Sequence, residues 1–321
     1  MNKRKYSAGL WIYGAVPDRY LPGGYQPLAD LEDRLQMIAN TRGIDGVEIP
    51  YGPVLNQSNI DTLPRIISDM GLEISSMGVN VTGDRKWGFG SISNPDKSVR
   101  TQAKELIKES MQAAKKIGVG TINLWMGQEG FDYPFECDYA QLWEYMSEGI
   151  AECAQSCREV NLSIEYKCME PRARNLPNSA AQALLLARET GCDNVGVTID
   201  FGHALIGKEN ASQSVALLNK YNKLFYLHIN DNYGDWDWDM AAGVDHWWQL
   251  VEFCYWINRI DFNNWLVVDI FPYRHNAVEM TEVSVLAMEK AFSMAEKLDK
   301  EMVEQALLKR EPAAIFKTLF K

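Results

Sequence analysis

Along the chain, apolar β-rich runs of five to eight residues alternate with longer segments in which apolar positions recur every three to four residues. The first kind of pattern suits strands buried on both faces and the second suits amphipathic helices. The runs predict strands at 7–13 (SAGLWIY), 46–50 (GVEIP), 72–79 (LEISSMGV), 120–126 (GTINLWM), 162–167 (LSIEYK), 195–200 (VGVTID), 224–229 (LFYLHI) and 266–271 (LVVDIF). Between them LADLEDRLQMIANT, SVRTQAKELIKESMQAAKKI, AQLWEYMSEGIAECAQSCREV and VDHWWQLVEFCYWINRI carry the helical stripe. Eight βα units with right-handed crossovers close into a (β/α)8 TIM barrel, expected over residues 1–295, with a helical tail over 296–321. Helix-to-strand connections are short (Arg42-Gly43, Met70-Gly71, Gly118-Val119, Gly191-Cys192), whereas the strand-to-helix stretches 80–94, 127–138, 168–178, 201–210 and 231–244 are long. The long loops therefore gather at the C-terminal mouth, where such barrels do chemistry.

The strand ends of the second half give that chemistry a character. Strand five ends with Glu165, strand six with Asp200, strand seven with His228 and strand eight with Asp269. Four metal-ligand side chains thus converge on one mouth, each directly after apolar residues where an unpaired charge is costly. Lys167 follows Glu165 by two positions and shares its inward face, where a lysine must be paired or functional. The loop NDNYGDWDWDM, if extended, sets Asp235, Asp237 and Asp239 on one side and buries Trp236 and Trp238 on the other. Such a row of carboxylates calls for a cation, and oxygen-rich ligands with one or two imidazoles suit Mg, Mn or Co.

Composition narrows the partners. A length of 321 residues exceeds two average domains but is ordinary for one barrel with insertions. Lys plus Arg number 32 against 43 Asp plus Glu, a net charge of −11 that disfavours nucleic acid. No apolar run reaches the length of a membrane span, and the start MNKRKYSAGLWIYG has too short an apolar stretch for a leader, so a cytoplasmic location is expected. Six cysteines without paired spacing read as reduced thiols. Acids after strands seven and eight, in place of a Gly-rich turn, point to an unphosphorylated small molecule.

The string EYKCMEPR, from Glu165 to Arg172, resembles the strand-five motif of xylose isomerases. GLWIYG with Trp11, WGFGSISNPDKSVR after strand three and NLWMGQEG with Trp125 are similar to further pieces of that family, in the same order. IDFGH, ending at His203, and HINDNYGDWD lean toward the L-rhamnose isomerase branch of the same superfamily. The resemblance covers strand one and strands three to eight. It implies two divalent cations, one held by Glu165, Asp200, His228 and Asp269, the other by His203, Asp235 and Asp237. It also implies that Lys167 holds the carbonyl-end oxygen and that Trp11 and Trp125 wall the sugar. Glu165, Lys167 and Asp237 are then the catalytic set, with Trp11, Glu48, Trp125 and Arg172 contacting substrate. The family opens the sugar ring with an early histidine, but no histidine precedes His203, so the expectation is that Glu48 or Tyr51 takes that role or that the substrate is a sugar that opens readily by itself.

The leading expectation is a metal-dependent aldose–ketose isomerase working by hydride shift. The alternative is a ketose 3-epimerase, where one metal suffices and two carboxylates exchange a proton at C3, or a metal-assisted sugar lyase. A non-enzymatic sugar-binding barrel is the outside class. The apolar tail, with Ile315, Phe316, Leu319 and Phe320, reads as a docking segment for a homodimer or homotetramer.

Overall fold

The computed structural model describes residues 4–321; of the charged start read above, the first three residues lie outside the described part. Eight parallel strands close the barrel: β1 (Tyr6–Gly9), β2 (Gly46–Tyr51), β3 (Glu73–Val79), β4 (Thr121–Trp125), β6 (Asn161–Glu165), β8 (Val195–Asp200), β9 (Leu224–Ile229) and β10 (Leu266–Val268). Their order around the sheet follows the chain, with β10 paired to β1. The outer helices are α1 (Leu31–Asn40), α2 (Leu63–Asp69), α3 (Lys97–Ile117), α4 (Tyr139–Ser156), α5 (Ala180–Glu189), α7 (Ala211–Lys220), α8 (Trp247–Arg259) and α9 (Ala277–Glu296). Their ends follow local chemistry: Asp96 caps α3 by accepting from Ser98 N, and Gly118 ends it at φ +79, a conformation glycine adopts without a Cβ clash.

Strand parity sorts the side chains. Leu162, Ile164, Val197, Ile199, Leu227 and Ile229 join the main core between sheet and helices, while the alternating positions face the lumen. Its lower part holds the small cluster Tyr226, Trp265 and Val267. Above it the lumen is threaded by hydroxyls: Ser7 and Ser75 lie 2.6 Å apart, Tyr226 donates to Ser75 at 3.0 Å, and Ser163 pairs with Thr198 at 2.7 Å. These groups satisfy one another, which is how buried hydroxyls are accommodated.

The structure differs from the sequence expectation at several elements, among them strand eight, read over 266–271 but ending at Val268. Strand one stops at Gly9 and turns into a 3-10 helix over Leu10–Tyr13, because the Trp11 ring folds back over Gly9, where a Cβ would lie 2.3 Å from the indole. The segment after strand six is not a loop but α6 (Phe201–Ile206), capped by Asp200. The mouth also holds a two-stranded antiparallel sheet, β5 (Gly130–Phe131) with β7 (Arg174–Asn175), too short to leave a periodic signal.

Loop 80–94 is tied to that sheet by the fully buried Glu129, whose carboxylate accepts from Ser91 N and Oγ (2.8 and 2.6 Å), Ile92 N (2.8 Å) and Ser93 N and Oγ. Beyond α9, helices α10 (Lys300–Lys309) and α11 (Pro312–Leu319) fold back on α8, with Trp248 edge-on to Phe316 and Phe320 at 5.5 and 5.1 Å. Part of the apolar face expected to dock another copy thus docks on the chain's own barrel.

Candidate functional site

The inward face of β6 ends on Glu165, that of β8 on Asp200 and that of β9 on His228, with Asp269 directly after β10. One donor atom from each of these four lies within 4.8 Å of the others. Each is held by a neighbour. Asn123 donates to Glu165 Oε2 at 2.7 Å and is itself fixed by Thr198 at 2.8 Å. Asp200 accepts from His203 N (2.8 Å) and from Asn230 Nδ2 (3.0 Å). The Trp11 indole donates to Asp269 Oδ1 at 2.6 Å. The backbone approach at Gly202 is equally tight, since a Cβ there would meet Asn230 Oδ1 at 2.2 Å.

His228 shows what the cluster lacks. Its Nε2 lies 3.0 Å from Glu48 Oε2, which holds one side of the ring. Its Nδ1 is buried and makes no hydrogen bond, although Asp269 Oδ2 lies 2.9 Å, Glu165 Oε1 3.5 Å and Asp200 Oδ2 3.9 Å away. Donor atoms about 3 Å apart that do not bond one another are what neighbouring ligands of one small divalent cation look like. A carboxylate on the outer nitrogen of a metal-binding histidine is the usual second partner. Charge points the same way. Burial and the nearby Asp237, Glu165 and Asp269 push Asp200 up to about 6 against the pull of His203, while His228 and His203 draw Glu165 down to about 2 despite burial. Crowded acids of this kind demand a positive charge, and the four residues fit a divalent cation.

A second layer sits above the cluster. Lys167 is 6% exposed; its Nζ lies 2.8 Å from Asp237 Oδ2 and 2.6 Å from Glu170 Oε2, and 5.5 Å from the Trp125 ring centre. Burial works against its charge, yet Asp237, Glu170 and Asp239 hold it above the ordinary lysine range. His203 donates from Nδ1 to Tyr166 O at 3.0 Å and sets Nε2 3.0 Å from Asp237 Oδ2. Asp237 Oδ1 and Trp125 Nε1 are buried without hydrogen-bond partners. Trp125, Lys167, His203 and Asp237, together with Trp11, Glu48, Asp239 and Phe271, line a cavity of about 360 Å³, at the small end of ligand pockets and suited to one sugar ring.

Of the residues expected at the site, Trp11, Glu48, Trp125, Glu165, Lys167, His203, His228, Asp237 and Asp269 line this cavity, and Asp200 sits in the cluster beneath. Two do not. Asp235 is exposed, and its Oδ1 accepts from Trp236 N and Trp238 Nε1 at 2.7 and 2.9 Å. The loop is not extended: Trp238 N bonds back to Trp236 O at 3.1 Å and Gly234 and Asp239 take positive φ, which breaks the alternation, leaves Trp236 and Trp238 half exposed, and brings Asp239 into the cavity. Arg172 turns away from the cavity, bonding Gly88 O at 2.7 Å and pairing with Glu136 and Asp132, so it braces the mouth loops. Glu48 both lines the cavity and orients His228.

The sequence pattern singles out Asp239 only as one of a row of carboxylates, and gives no role to Asn123, Asn230 or Glu170. Asn123 was within reach, since it lies two positions before Trp125 and so shares its face; the others depend on loop paths. With Asp235 outside, Asp235→Ala is expected to leave one bound divalent ion per chain, as in the native protein, by calorimetric titration of metal-stripped protein. Loss of an ion would restore the two-cation arrangement.

A model for a xylose isomerase-like TIM barrel matches residues 37–303. An L-ribulose 3-epimerase of Mesorhizobium japonicum is 27% identical over 216 residues, 65% of this chain and 69% of that protein. A probable sugar isomerase of the same organism is 26% identical over 251 residues, 73% of this chain but 56% of its own length, so the chain spans about half of that relative. Among solved structures, an L-ribulose 3-epimerase superposes with a TM-score of 0.70 at 17% identity, covering 92% of this chain and 97% of the other.

Proposed function

We propose that this chain, which belongs to the xylose isomerase-like TIM-barrel family, is an isomerase-class enzyme that inverts C3 of an unphosphorylated ketose with one divalent cation. The observation that carries this reading is the single four-donor cluster among the described residues. The partner acid Asp237 is already neutralised by Lys167 and His203, and Asp235 faces solvent. The 27% identity to an L-ribulose 3-epimerase supports it independently. The sequence reading ranked the hydride-shift isomerase first; the loss of Asp235 from the second ligand set moves the balance to the epimerase.

When bound at Glu165, Asp200, His228 and Asp269, a divalent cation would supply Lewis-acid polarisation of the carbonyl beside C3, which makes the C3 proton removable near neutral pH. Glu165 and Asp269 come from strands separated by β8 and β9, so they approach the ring-opened sugar from two sides. One takes the C3 proton, leaving an enediolate, and the other returns a proton to the opposite face. Asn123 and Trp11 keep one oxygen of each carboxylate fixed and leave the other toward the cavity. Asp237 Oδ1 and Trp125 Nε1, each without a partner, are positioned to accept from and donate to substrate hydroxyls. Trp11 and Trp125 wall the ring.

Incubating Mg-loaded protein with a panel of free ketoses and aldoses in deuterated water tests the reading, with products followed by NMR. Deuterium appearing at C3 of a ketose is the expected result. Aldose–ketose interconversion without deuterium would replace it by the isomerase reading, which the pairing of Lys167 with the catalytic-layer Asp237 keeps as the second candidate. As to location, no helix among the described residues is long and apolar enough to cross a membrane.

A further inference from the structure

A second cavity, of about 350 Å³, adjoins the first on the outer side of the mouth, and the two share Asp239 and Phe271 in their walls. Phe271 N donates to Asp239 O at 2.9 Å, a backbone hydrogen bond between the loops after β9 and β10 that joins the two shared residues. The outer cavity is lined largely by carbon, with Trp238, Phe271 and Tyr273 as its rings. Phe271 and Tyr273 stack at 6.1 Å, Tyr25 braces Tyr273 edge-on at 5.9 Å, and Arg274 lies over Tyr25 at 4.3 Å. The rings are therefore fixed by their neighbours. Trp238 is the telling case: its indole N–H is anchored to Asp235 at 2.9 Å, yet the residue is 46% exposed. An anchored aromatic face left open to a concave surface is a platform for a flat, partly apolar ligand.

We propose that this outer cavity is a second sugar-binding subsite and that the substrate is a ketodisaccharide whose reducing ketose occupies the inner cavity. A pyranose presents an apolar C–H face to rings such as Trp238 and Tyr273, and its hydroxyls reach the Asp239 carboxylate at the rim. The linkage follows from the chemistry of the inner site, and here the inference rests on the epimerase reading. C1 to C3 of the ketose must face the metal cluster, so the second sugar hangs from O4, O5 or O6, the end directed toward Asp239 and Phe271. Asp235, which the sequence assigns to a cation, serves to hold the outer platform.

The test uses Mg-loaded full-length protein with D-fructose and with two ketodisaccharides of fructose, lactulose (linked through O4) and isomaltulose (linked through O6). Saturation-transfer NMR is expected to show contacts from the protein to the non-reducing ring, and Trp238→Ala is expected to abolish those contacts. C3 exchange in deuterated water is expected to have at least tenfold higher kcat/KM for one disaccharide than for fructose, a ratio that falls at least fivefold in Trp238→Ala. A free ketose handled as well as either disaccharide, or outer-ring contacts unchanged in Trp238→Ala, overturns the subsite. Absence of C3 exchange with every sugar overturns the epimerase reading instead, and the outer-ring contacts then still decide the subsite.

Discussion

Glu165→Gln is expected to remove C3 exchange, lowering kcat by roughly 10³-fold, within the span usual for a lost general base. The substitution keeps the shape of the side chain, so the packing around β6 is preserved, but it removes the charge that His228 and His203 stabilise. The amide can still pair with Asn123 through its oxygen. What it cannot do is carry a proton away from carbon or contribute a full negative charge to a cation. The same variant should therefore lose most of the metal-dependent rise in melting temperature. A cation at a hundred times its dissociation constant stabilises by about 2.7 kcal/mol, and that increment is expected to shrink on the variant. Turnover above a tenth of the native rate, with the metal increment intact, would take Glu165 out of both roles.

Lys167→Met is expected to damage stability and rate together. The ammonium is buried between Asp237 at 2.8 Å and Glu170 at 2.6 Å, and Asp237 already has one oxygen without a partner. Removing one member of a buried ion pair costs about 3–5 kcal/mol, because the remaining charge stays desolvated. For a chain of this size that is a drop of roughly 4–7 °C in melting temperature. Loss of the brace should also shift Asp237 and His203 against the substrate, and a displacement of about 1 Å costs on the order of 10²-fold in kcat/KM. The double variant Lys167→Met with Asp237→Asn should recover much of the stability, because the stranded charge is gone, and none of the activity. A single variant with native melting and native turnover would leave Lys167 without a function in either stability or catalysis.

The fold was legible because its signals are local and repeated. LFYLHI and VGVTID occupy the residues that periodicity assigns them, and the acids and histidine at the strand ends fall together because parity fixes their side of the sheet. Strand ends beside the mouth were less legible: β10 stops at Val268 and β1 at Gly9, where side-chain packing and capping override β preference. The site was legible where it stands on strands and illegible where it stands on loops. Asp235 failed since its position depended on an extended path, and a turn of two residues sent it to solvent. Arg172 failed for a related reason, as a charge near the mouth does not reveal whether it faces ligand or brace.

Glu129 bears on the thermodynamics of ligand capture. By holding the Ser91, Ile92 and Ser93 amides and the two serine hydroxyls, it fixes the last turn of loop 80–94, the loop whose Asn80 and Thr82 line the cavity. The conformational entropy of that part of the mouth, on the order of 1–2 kcal/mol for each residue fixed, is spent during folding. A sugar reaching the cavity from this side meets preorganised walls, so the freedom lost there on binding is chiefly its own.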